Sequence, residues 1–173
     1  MPGDLIDPRR TEPALALSDD RGMLEGWLEF QRTTLLLKVE GLDDERRKAC
    51  PVATSKISLH GLVRHMTEVE WWWFVRILDR DDSTTGIHDP DGVDADWYPL
   101  DDAVWEDDLA RWQAACQTSR EVAARHDLAD VGQHPREGDT TLRWIYVHMI
   151  EEYARHNGHA DLLREQIDGA TGE

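Results

Sequence analysis

The chain has 173 residues, 40% of them hydrophobic, which suits one domain with a single real core. Its 36 acidic against 19 basic residues give a formal charge of -17, so most of the surface repels a phosphate backbone and nucleic-acid binding is not expected. Cys50 and Cys116 make neither a disulfide framework nor a CxxC metal site, the start of the chain lacks an apolar signal core, and the most hydrophobic run, Trp71 to Val75, is too short to cross a bilayer, so a cytoplasmic protein with no membrane segment is expected.

Residues 1 to 17 read as an extended segment. Ser18 is the candidate cap of a first helix near 18 to 40, whose stripe is Leu24, Trp27, Leu28, Gln31 and Leu35, and Gly41 ends it. A second helix near 59 to 79 follows the N-cap candidate Ser58 and carries Leu62, His65, Val69, Trp72 and Arg76 on one line. A long loop over 80 to 100 comes next, and its length suggests function, a lid for instance. A third helix near 101 to 126 starts at Asp101 or Asp102 and carries Val104, Leu109, Trp112, Ala115, Val122 and Ala123. After a loop with Gly132, Pro135 and Gly138, Thr140 can cap a last helix near 140 to 167, with Gly169 beyond its end. Four amphipathic helices of this length predict an all-α protein, a single antiparallel four-helix bundle.

Polar residues on the inner stripes of such a bundle must be paired or bind something. Glu152 and His156 stand four apart in the last helix and share a face with Ile145, Met149 and Leu163, while His65 lies on the inward line of the second helix. Two imidazoles and one carboxylate make a His2Glu set, which matches a catalytic zinc site with a free fourth position and equally accepts nickel, cobalt, manganese or ferrous iron. The plainer interpretation is a hydrogen-bonded core His65 and a surface pair of Glu152 with His156. Periodicity also leaves His148 and His159 competing as ligands, with His60 behind them. A di-iron carboxylate site is excluded because no Glu has a His three residues later, and HExxH is absent.

Among Trp71, Trp72, Trp73 and Phe74 only Trp72 shares the His65 face; core packing is the simplest role for the run, and a homodimer interface the sharper one. Both cysteines read as inert small hydrophobes. Asp89, Asp91, Asp94 and Asp96 lack EF-hand spacing and read as a solvated loop.

Three stretches, FQRTTLLLKVEGL, SLHGLVRHMTEVEWWWF and TLRWIYVHMIEEYARHNGHADLLREQIDG, resemble the DinB/YfiT-like metalloenzymes, and within them the actinobacterial branch labelled mini-circle proteins. The resemblance covers nearly the whole chain. It implies a four-helix bundle binding one metal through a His of the second helix, here His65, and two residues one turn apart in the last. Many members carry His-x-x-x-His there; Glu152 replaces the first of these histidines, as in the similar mycothiol-dependent maleylpyruvate isomerases, which use His, Glu and His for zinc. The resemblance thus selects Glu152 and His156 and leaves His148, His159 and Trp72 as residues around the ligands or on the pocket wall. It further implies a low-molecular-weight thiol, mycothiol or bacillithiol, coordinated to the metal and presented to a small electrophile in a transferase or isomerase reaction. A metal-dependent hydrolase, or a bundle that only binds a metal or small ligand, are the alternatives.

Overall fold

Side-chain caps open most of the helices, and a glycine follows two of them. A computed structural model describes residues 7–14, 16, 19–83 and 95–171. Asp19 accepts from the backbone N–H groups of Arg21 and Gly22 and opens α1 (Asp20–Val39), and Gly41, at φ +74°, turns the chain out of it. Ser18, the expected cap, lies outside the described residues. A short α2 (Asp44–Lys48) follows, capped by Asp43. Ser58 accepts from the Gly61 N–H at the start of α3 (Leu59–Glu70), as expected. Thr141, one residue later than expected, caps α5 (Leu142–Asp168), and Gly169 closes it in the left-handed conformation, at φ +76°.

Three expectations about individual elements are corrected. The second long helix does not keep one pitch: from Trp71 to Leu78 it widens into a π-helix, with Asp79 N–H bonded back to the Phe74 carbonyl. Positions beyond Glu70 are therefore rotated from ideal spacing. The buried line is Leu62, Met66, Glu70, Trp73, Phe74 and Ile77, while Val69, Trp72 and Arg76 are half-buried. Second, α4 (Trp105–Ala123) begins after Asp101 and Asp102, which lie in an exposed turn; its N-cap is Val104, half-exposed and without a side-chain cap, and the acids of the first turn are Glu106, Asp107 and Asp108. Third, the loop around Gly132, Pro135 and Gly138 is a small antiparallel hairpin, β1 (Val131–His134) paired with β2 (Gly138–Thr141). The protein is mostly helical with this one hairpin among the described residues.

Packing fixes the topology. Asp20, Glu25, Gln31 and Lys38 of α1 meet Arg143, Tyr146, Asn157 and Asp161 of α5 in ascending order, so these two helices run parallel. His60, Glu70 and Asp79 likewise meet Asp108, Cys116 and Arg125 in ascending order, so α3 and α4 are parallel too. Glu70 touches Tyr153 while His65 touches His156, which makes α3 antiparallel to α5. The expected all-antiparallel arrangement fails because the long connection between Leu78 and Trp105 can return the chain to the end where it started. Between the helices lies one apolar core built on Leu28, Leu35, Met66, Phe74, Trp112 and Met149, each side chain contributing roughly 1.5–3 kcal/mol on burial.

Gly132 is where the hairpin touches the core. A Cβ there would overlap the backbone carbonyl of Ile77 and come within 2.8 Å of the Leu78 Cα, with no flexible side chain to yield. Gly132→Ala is expected to destabilise the protein by about 1–3 kcal/mol, read as a lowered urea midpoint. An unchanged midpoint would show that the hairpin can lift away freely.

Candidate metal centre

Two helices, α3 and α5, and the loop carrying Asp96 converge around His65 and His156. His65 projects half-buried from α3, and Glu152 and buried His156 project from successive turns of α5. One donor atom from each of the three lies within 4.8 Å of the others. The His65 and His156 ring centroids are 4.8 Å apart, and His156 Nε2 is 3.4 Å from Glu152 Oε2.

Neighbouring groups hold the two histidines. His65 Nδ1 lies 2.6 Å from Asp96 Oδ2, and because a carboxylate can only accept, Nδ1 carries the proton of that bond. The Trp97 ring stacks on His65 at 4.4 Å and holds it in plane. On the other side, His159 Nδ1 lies 3.3 Å from His156 Nδ1. Burial, with His65, His159 and Arg155 as neighbours, pushes the His156 imidazole down to about 3, so it is neutral and able to ligate at neutral pH.

The other candidate residues have different surroundings. His148 Nε2 faces the second oxygen, Glu152 Oε1, at 3.6 Å, and its ring is stacked on Trp144 and edge-on to Trp73. His148, Glu151 and Glu152 also bring donors within 4.8 Å of one another, but Glu151 is exposed and paired with Arg155. Trp72 meets Trp71 and His134, and it is Trp73 that reaches α5, a consequence of the π-helical turn. His60 is fully buried, and its Nε2 bonds Asp108 at 2.9 Å. Asp96 is no solvated loop acid, since it holds His65; Asp89, Asp91 and Asp94 lie outside the described residues, as does most of the proposed lid. Asp96, Trp97 and Trp73 are the site residues that sequence reasoning missed. The acidic, tryptophan-bearing end of the long loop was the one available signal for the first two.

The cysteines take no part. Burial and the nearby Glu70 charge push the Cys116 thiol well above its ordinary value, and Cys50 sits exposed with its sulfur on the Lys56 carbonyl. No helix among the described residues is long and apolar enough to cross a membrane.

The family model described as mycothiol-S-transferase matches residues 23–169, a span that includes every residue of the centre. No curated protein matches the chain.

Proposed function

Because the chain belongs to the mycothiol-S-transferase family, of the DinB-like superfamily that its motifs resemble, we propose that it transfers a low-molecular-weight thiol to a small electrophile at a divalent metal held by His65, Glu152 and His156. The convergence of those three donors carries the proposal. Their chemistry fits a metal: two imidazoles and one carboxylate leave open positions, as catalytic zinc sites do. Zinc is the first choice, and nickel, cobalt, manganese or ferrous iron suit the same donors.

When bound, the ion would stabilise the thiolate of the incoming thiol at neutral pH and so supply the nucleophile. The chain's residues do the rest. Asp96 and Trp97 keep His65 in one tautomer and one plane, and His159 orients His156. His148, whose Nε2 is 3.6 Å from Glu152, would take the proton that the thiol gives up on binding and, as the sulfur bonds to the electrophilic carbon, return it to the atom of the electrophile that gains the displaced electron pair. Trp73 and Trp144 flank that ring and offer an apolar wall to the electrophile.

Metal analysis of purified protein should find about one divalent ion per chain. Adding mycothiol to the cobalt-substituted protein should change its visible spectrum by placing sulfur on the metal. A spectrum that mycothiol leaves unchanged, with turnover of ester or amide substrates in the absence of thiol, would replace the transferase with a hydrolase. Glu152→Gln keeps the size of the side chain and removes the ligand charge, so metal affinity should fall at least roughly tenfold.

A further inference from the structure

His65 owes its orientation to Asp96, which lies in a turn outside the helices, so whatever fixes that turn also fixes the ring. Arg64, the neighbour of His65 in the chain, supplies the fastening. Its Nε donates to the Asp96 carbonyl at 3.0 Å and its Nη2 to the Ala95 carbonyl at 2.9 Å. Its remaining arm, Nη1, lies 3.3 Å from Asp108 Oδ2 on α4. Asp108 is itself 2% exposed and gripped on both oxygens, by His60 Nε2 at 2.9 Å and by Arg111 Nη1 at 2.8 Å. Burial pushes the Asp108 carboxyl up, but His60, Arg64 and Arg111 outweigh it and bring the group down to about 2, so it remains an anion. Gly61 completes the seat, because a Cβ there would stand 3.0 Å from the Trp97 carbonyl.

We infer that Arg64 and Asp108 are positioning residues for the metal centre: the guanidinium, anchored on α4 by Asp108, clamps residues 95 and 96 so that the Asp96 carboxylate fixes the His65 tautomer. The inference rests on the reading of His65 as a ligand only for its effect on metal binding. Its effect on the tautomer belongs to the metal-free chain. Only a planar fork can span an anion and two carbonyls at once, so lysine at position 64 would keep the charge beside Asp108 and lose the clamp.

The test compares wild type, Arg64→Lys, Asp96→Asn and the double variant, each metal-free and above the imidazole titration range, by nitrogen-15 NMR of the His65 ring. Wild type should show the Nδ1–H tautomer alone, and both single variants a mixture. Zinc affinity should fall roughly 10–100-fold in each single variant, with the double variant no weaker than the weaker single one, since both act along one path. Thermal midpoints and far-ultraviolet circular dichroism show whether each variant folds, and Asp108→Asn, which keeps the shape of the anchor, should reproduce the tautomer mixture more mildly. A His65 signal in Arg64→Lys identical to wild type, or losses of affinity that simply add, would overturn the inference. If wild type takes up no metal, the proposed function falls, and the tautomer comparison still decides whether Arg64 clamps Asp96.

Discussion

Replacing His65 or His156 by alanine should reduce bound metal from about one ion per chain by at least roughly tenfold and remove thiol transfer with it, while the helical signal persists. Each variant leaves only two of the three protein donors, and a neutral imidazole cannot be replaced by the shielded methyl of alanine. The fold should survive because His65 is half-buried and the core rests on Leu62, Met66, Met149 and Leu163. His156 is the more buried of the two, so its variant should lose more stability from the void left beside Trp97 and His159. His148→Ala provides the contrast. That ring faces Glu152 from the outer side, so its loss should leave the metal in place and slow transfer by roughly 10²–10⁴-fold if it accepts the thiol proton. Elemental analysis beside a thiol-consumption assay reads both quantities. Full metal content in His65→Ala would end the assignment of the centre, and normal turnover in His148→Ala would reassign the proton acceptor.

Helical spacing alone set Glu152 and His156 on one face and His65 on an inward line, and the folded chain brings their donor atoms together. What periodicity could not choose was which histidine does what. His148, His156 and His159 all lie on one side of α5, and only the neighbours in space separate them: Trp73 and Trp144 beside His148, His65 and Trp97 beside His156. Asp96 was out of reach for a different reason, since a loop residue has no period from which its direction can be read. The Trp71–Leu78 stretch misled because a π-turn adds a residue to the repeat and turns Trp73, not Trp72, toward α5. The helix directions were hidden because a connection as long as that after Leu78 permits either sense. Charge misled in the core as well: α1 buries Arg32, while Gln31, assigned to the stripe, is half-buried at its edge.

That arginine is the basis of the largest expected effect on stability. Arg32 meets Glu70 with two parallel bonds, Nε to Oε1 at 2.7 Å and Nη2 to Oε2 at 2.6 Å, and Glu70 is completely buried. Tyr153 donates to Glu70 Oε1 at 2.7 Å and Cys116 Sγ lies 3.6 Å from the same oxygen, so α1, α3, α4 and α5 all meet at this one carboxylate, and Trp112 donates to the Tyr153 hydroxyl at 3.0 Å. Glu70→Ala leaves Arg32 its bond to Glu29 at 2.6 Å and should cost less, whereas Arg32→Ala strands the Glu70 charge in the core and should cost about 3–5 kcal/mol. At this chain length that is a drop of roughly 10 °C in thermal midpoint. Replacing both, Arg32→Met with Glu70→Leu, should recover much of the loss, because the desolvation of two charges goes with their attraction. The pH dependence has a definite sign. Burial pushes the Glu70 carboxyl up, but Arg32 and the hydrogen bonds outweigh it and hold it below its ordinary value of 4.5. The unfolded chain therefore takes up the proton first, and stability is full above that value and lost as the pH falls through the lower folded one. Urea midpoints measured from neutral to acid should fall for wild type and fall less for the double variant. Single variants as stable as wild type would mean that the ion pair is not desolvated.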